Sequence, residues 1–228
     1  MERKNIGPAM KREEWLKNLL PLIHKYEDEK HPLDYHNRYQ LIVLVILSSQ
    51  STDDRINALA PAFFAKFPSL RVLAKAKPED LYEFIRSIRS SKKKAKWLVE
   101  IAKTIKDDEN IPVTMEGLTE LPGIGRKSAN VIIRESNAKA EGIIVDIHVL
   151  RVVPRIGVSK EENPEKIEKN LMEIVPQEYW NDAGMAFSFL GREICRPTDP
   201  ECPRCIMNTS CEYYRTSQNR KAPKKSKK

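Results

Sequence analysis

The chain has 228 residues, 40% of them apolar and only eight glycines, which allows a sizeable core in one large or two small domains. The longest apolar run, Leu41 to Leu47, is far too short to span a bilayer, and Met-Glu-Arg-Lys at the start leads into charged residues rather than a secretion signal. A soluble intracellular protein is expected, cytoplasmic and nucleoid-associated, or nuclear if eukaryotic. The net charge of +8 belongs mostly to the end of the chain, where seven basic residues and no acid follow Tyr214.

Apolar residues recur at helical spacing over roughly 11–26, 38–49, 54–66, 78–87, 93–106, 126–136, 147–156, 163–174 and 178–193. Alternating runs bounded by turn residues are scarce, so an all-α fold is predicted. The second helix ends in Leu47-Ser48-Ser49-Gln50-Ser51-Thr52-Asp53. Gln50 stands at that end as a polar residue, and Asp53 is placed to cap the next helix. Further on, Arg86, Arg89, Lys92, Lys93, Lys94 and Lys96 form a basic cluster.

Residues 118–127, Leu-Thr-Glu-Leu-Pro-Gly-Ile-Gly-Arg-Lys, break one helix and begin another. Gly123 and Gly125 permit left-handed backbone or the close approach of a foreign surface. The start of the helix opening at Arg126 presents N–H groups and partial positive charge, a geometry that binds phosphate without reading a base. The pattern is that of a helix-hairpin-helix, with Leu121, Gly123, Gly125 and Arg126 as candidate DNA-backbone contacts and Lys93 as a further one. Lys127 lies in the first turn of the second helix, beside the gripped backbone. Asp146, in Val145-Asp146-Ile147-His148-Val149, reads most simply as a helix N-cap, and His148 as a structural hydrogen-bonding residue.

All four cysteines, Cys195, Cys202, Cys205 and Cys211, lie in one short loop with the spacing C-x6-C-x2-C-x5-C. Two disulfides suit an intracellular chain poorly. A zinc site more often pairs two C-x2-C knuckles, and this loop has one. A [4Fe–4S] cluster takes four thiolates and tolerates irregular spacing. Beyond residue 214 the basic, polar composition predicts a disordered tail, either a solubility device or a nonspecific nucleic-acid arm.

Gly-Ile-Gly-Arg-Lys-Ser-Ala, then Val145-Asp146-Ile147-His148-Val149, then the cysteine spacing, together with Leu47–Asp53, resemble the endonuclease III family over roughly residues 30–213. These are helix-hairpin-helix DNA glycosylases with apurinic/apyrimidinic lyase activity. The resemblance implies a six-helix barrel-like domain at about 30–140 that carries the hairpin. It implies an iron–sulfur domain from 1–29 plus 141–214, and a DNA cleft between the two. It makes Lys127 the nucleophile that forms a Schiff base with the deoxyribose, with a lowered pKa expected beside Arg126 and the helix start. It makes Asp146 the carboxylate that stabilises the reacting sugar and shuttles protons. By the same resemblance Gln50 would enter the gap left by the extruded base, and the four cysteines would hold a [4Fe–4S] cluster. The expected substrate is duplex DNA with an oxidised pyrimidine or abasic site, and the expected working form is a monomer. One departure is plain. Where bacterial members place a bulky apolar wedge, this chain has Ser90 and Ser91, which cannot unstack bases in that way. The alternatives are a monofunctional mismatch glycosylase, whose relatives have Ser or Tyr in place of Lys127, and a non-catalytic DNA-binding module.

Overall fold

The computed structural model describes residues 10–221. The chain divides into two compact units: Lys30–Glu141, and Met1–Glu29 together with Gly142–Lys228. Every regular element among the described residues is helical, and no helix there is long and apolar enough to cross a membrane.

The unit Lys30–Glu141 is built around α2 (Arg38–Ser48). Asn37 starts this helix by accepting a hydrogen bond from the Gln40 N–H at 2.9 Å. Leu41 to Leu47 are then buried on every side, as expected of a helix that is apolar all round. Full burial of each such side chain contributes about 1.5–3 kcal/mol relative to exposure. Around α2 pack α3 (Asp53–Lys66), α6 (Ser91–Ile105) and α8 (Arg126–Glu135). The shorter α4 (Leu70–Leu73) and α5 (Pro78–Ile85) lie against α6. Phe63, Phe67 and Phe84 make a mutual aromatic cluster between α3 and α5, with centroids 5.1–6.3 Å apart. The Tyr39 hydroxyl ties α2 to it by donating to the Phe67 carbonyl. The last short helix, α7 (Met115–Thr119), is capped by the Thr114 hydroxyl and packs on α8.

In the other unit, α1 (Arg12–Tyr26) pairs with α11 (Trp180–Glu193), which also packs against α9 (Val149–Ile156). Tyr26 stacks on Phe189 at 5.7 Å, and its hydroxyl donates to Glu193 at 2.7 Å. The α10 helix (Pro164–Ile174) is started by Asn163, which accepts from the Lys166 N–H, and by Pro164 at its first position.

Three findings differ from the sequence expectations. Asp53 does not precede α3 as its cap; it is the first residue of α3, and Thr52 holds the cap position. Residues 215–221, placed by the sequence at the start of the tail, lie in α12 (Glu212–Lys221). Their helix leads on from the cysteine loop, and Arg155 of α9 stacks on Tyr213 at 4.8 Å. The rest of the expected tail, 222–228, lies outside the described residues. Lys94 does not join a solvated basic cluster, because it is only 2% exposed.

Candidate functional site

The hairpin is held from both ends by apolar anchors. Leu118, Leu121 and Ile124 are buried. Between them the Ile124 N–H donates to the Leu121 carbonyl at 3.2 Å, closing a turn. Pro122 and Gly123 occupy its centre, and Gly123 has φ 84°, the residue pattern of a type II turn. A Cβ on Gly123 would lie 2.4 Å from Trp97 Cε3, whereas a Cβ on Gly125 would meet nothing within 4 Å. Gly123 is therefore required by the protein's own packing, while Gly125 leaves an open approach to the start of α8. Gly125 is the N-cap of α8 and offers no side-chain cap. Arg126 and Lys127 follow in the first turn, both exposed. Glu141 braces the hairpin by accepting from the Met115 N–H at 2.9 Å, and its carbonyl accepts from Arg126 at 3.4 Å.

Gln50 is exposed, with a left-handed φ of 60°, just beyond α2. The buried Lys94 holds this turn. Its ammonium donates to the carbonyls of Leu47 at 2.9 Å and Ser49 at 2.6 Å. Those are carbonyls at the end of α2, where a cation is favoured; burial pulls the Lys94 pKa down. Ser90 sits at φ 57° as the N-cap of α6, and Ser91 is buried, so neither offers an apolar wedge. Lys93 is exposed on α6, with its ammonium 4.8 Å from the centre of the Trp97 ring.

His31 belongs to the electrostatic surroundings of Lys127. Burial is the first cause that lowers its pKa to about 4; the charges of Lys127 and Arg134 lower it further, against Glu135 and Asp53. The Leu33 N–H donates to His31 Nδ1 at 3.1 Å, so the neutral ring carries its proton on Nε2. Glu135 pairs with Arg134 and accepts from the Tyr35 hydroxyl.

Asp146 lies in the other unit. The N–H groups of His148 and Val149 donate to its Oδ1 at 2.8 and 2.9 Å, and the fully buried Ser188 hydroxyl donates to Oδ2 at 2.6 Å. The carboxylate thus caps the start of α9 and is fixed in orientation by α11. The same α9 carries Arg151 and Arg155 toward the cysteine loop. Arg151 donates to the carbonyls of Gly191 at 2.8 Å and Cys195 at 3.0 Å. Arg155 donates to the carbonyls of Arg196 at 2.7 Å and Pro197 at 3.0 Å, and reaches Cys195 Sγ at 3.6 Å.

Cys195, Cys202, Cys205 and Cys211 line a single small cavity with Ile156, Leu190, Ile194, Pro200 and Tyr214, and its accessible lining is apolar. None is in a disulfide. Burial pushes the Cys205 thiol up to about 11, helped by the other three cysteines, and raises Cys211 in the same direction. Among the described residues no group of three or more His, Cys, Asp or Glu side chains is placed to hold a metal ion.

The hairpin residues Gly123, Gly125, Arg126 and Lys127 are thus gathered at the start of α8. Leu121 is buried beneath them, so that any contact it makes to a ligand is through its backbone. Sequence reasoning missed Trp97, His31, Ser188 and the inward turn of Lys94. Only Trp97 left a trace, standing four residues after Lys93 on one helical face.

The HhH-GPD superfamily of base excision DNA repair proteins matches residues 43–177. The chain is 34% identical over 211 residues to the endonuclease III of Synechocystis sp., covering 92% of this chain and 96% of that one. It is 33% identical over 179 residues to the endonuclease III of Thermotoga maritima, covering 78% and 84%. Among solved structures it resembles an endonuclease III trapped as a covalent intermediate with DNA. The TM-score is 0.83 at 29% identity, over 92% of this chain and all of that one. The chain belongs to the endonuclease III family of the HhH-GPD superfamily.

Proposed function

We propose that this protein is a base excision repair DNA glycosylase with apurinic/apyrimidinic lyase activity, acting on oxidised pyrimidines through a lysine Schiff base. The observation that carries the reading is the exposed Lys127 in the first turn of α8, directly after the open Gly125, in a chain of this family. Backbone N–H groups and the helix dipole favour a phosphate at that helix start, and the damaged nucleotide is extruded from the stack to be reached.

In the proposed reaction the neutral Lys127 amine attacks C1′ of the deoxyribose, and the base leaves with the C1′–N bond electrons and takes up a proton. The nitrogen then gives up one of its two protons, and the C1′–O4′ bond breaks with its electrons going to O4′, which takes up a proton, leaving an iminium that keeps one N–H. The iminium acidifies C2′; loss of a C2′ proton then expels the 3′ phosphate by β-elimination. Asp146 is the candidate for stabilising positive charge at the sugar and for moving these protons. Its hydrogen bonds from two N–H groups and Ser188 hold the carboxylate in a fixed orientation for this role. Gln50 is the candidate for the space left in the duplex.

The four thiols fit a [4Fe–4S] cluster by their chemistry: four cysteines line one small cavity, and Cys195, Cys202, Cys205 and Cys211 would be the thiolates that hold it. Such a cluster would cross-link the loop that α9 already grips through Arg151 and Arg155. The test is release of an oxidised pyrimidine from a labelled duplex, followed by gel analysis of the strand. Free base together with a β-elimination product supports the reading. Free base with an intact abasic strand would favour a monofunctional glycosylase, and binding alone would favour a non-catalytic module.

A further inference from the structure

Trp97 joins two regions that the sequence presents as separate: the lysines at the start of α6 and the turn of the hairpin. A Cβ on Gly123 would fall 2.4, 2.8 and 2.9 Å from Cε3, Cζ3 and Cδ2 of the indole. The six-membered part of the ring therefore lies against the bare side of the glycine, and the turn at φ 84° rests on it. The Lys93 ammonium stands 4.8 Å from the centre of that ring, within the range of a cation–π contact. Lys93 itself is exposed, while Trp97 is partly covered. Its neighbour Lys92 is placed more loosely, 5.9 Å from the ring of Tyr82.

We propose that Trp97 is a positioning residue for DNA binding, which supports the Gly123 turn and holds Lys93 beside it as a phosphate contact continuous with the hairpin. The proposal rests on the reading of the hairpin as a DNA-backbone grip. A lysine already held over an aromatic ring has less freedom to lose when it meets a phosphate than one free in solvent. The electrostatic contribution is independent of sequence and appears in the salt dependence of binding.

The experiment measures affinity for an undamaged duplex across a salt series with the full chain, Lys93→Gln, Trp97→Ala, Trp97→Phe and the double variant Lys93→Gln/Trp97→Ala. Lys93→Gln is expected to flatten log K against log salt by about 0.9, the value of one lost duplex phosphate contact. Trp97→Ala is expected to weaken binding about tenfold and Trp97→Phe about twofold, since phenylalanine keeps a ring. Removing Lys93 should cost at least about threefold more affinity with Trp97 present than with alanine there, the coupling expected of residues that act together. An unchanged salt slope for Lys93→Gln overturns the proposal, as do independent effects of the two substitutions. Lys93→Gln and Trp97→Phe keep the test sound even if Trp97→Ala does not fold. Borohydride trapping on an abasic duplex is run in parallel. A wild type that shows the coupling but gives no adduct defeats the enzymatic reading and leaves this one standing; an adduct without coupling does the reverse.

Discussion

Replacing each hairpin glycine by alanine separates a residue the protein needs for itself from one it leaves open for a ligand. At Gly123 alanine meets two obstacles. The φ of 84° is left-handed, which costs a non-glycine residue about 1–2 kcal/mol. The new methyl would sit 2.4 Å from Trp97 Cε3, and relieving such an overlap costs about 1–3 kcal/mol. Gly123→Ala should therefore lose roughly 2–5 kcal/mol, a large share of the 5–15 kcal/mol typical of a folded domain. At Gly125 the φ is −94° and no heavy atom lies within 4 Å of the added Cβ. Gly125→Ala should change stability by no more than about 1 kcal/mol, because the preference for glycine over alanine at an N-cap opposes the gain from a stiffer unfolded chain. Its methyl, however, would stand where a phosphate approaches α8, and duplex affinity should fall at least about tenfold, or 1.4 kcal/mol. Urea denaturation of both variants with duplex titration of Gly125→Ala measures the two effects. The reasoning is refuted if Gly125→Ala is as destabilised as Gly123→Ala, or if it binds duplex like the wild type.

Asp146→Asn keeps an oxygen for the His148 and Val149 N–H groups, and the Ser188 hydroxyl can rotate to accept from the new amide. Base excision should fall at least about a hundredfold with a stability loss of only about 1 kcal/mol by denaturation; equal activity would reduce Asp146 to a cap. His31 should make the protein sensitive to acid. Its folded pKa of about 4 lies below the ordinary 6.5, so the unfolded chain binds the proton more readily. Stability is complete above pH 6.5 and falls toward pH 4, by roughly 3 kcal/mol at most. Denaturation midpoints across that window should show a flatter dependence for His31→Asn, whose oxygen can still accept from Leu33. If Cys195, Cys202, Cys205 and Cys211 hold one cluster, purified protein should be yellow-brown with about four irons per chain. Cys202→Ser should then lose iron and DNA affinity, and colourless, active protein containing zinc would contradict the assignment.

The nine longer helices were legible because their apolar spacing is strong and repeated. The helices α4 and α7 have four and five residues, too few to show a period, and α12 is too polar to be told from a tail by composition. The hairpin glycines and Lys127 could be read from local sequence because a turn and a helix start are local structures. Lys94 could not: its neighbours Lys92 and Lys93 look the same in sequence, and only the packing of α6 against α2 turns it inward to the Leu47 and Ser49 carbonyls. Ser188 and Trp97 act across 42 and 26 positions of sequence, respectively, on Asp146 and Gly123, a separation that no short motif records.

The most direct test of the central claim is borohydride reduction of the protein on a duplex with a single abasic site, with the adduct mapped by peptide mass spectrometry. Wild-type protein should give one covalent adduct, carried on Lys127. Lys127→Gln should give none while binding the duplex within a few-fold of wild type, since the start of α8 and not this side chain grips the backbone. An adduct in Lys127→Gln, or one that maps to another residue in the wild type, would contradict Lys127 as the nucleophile.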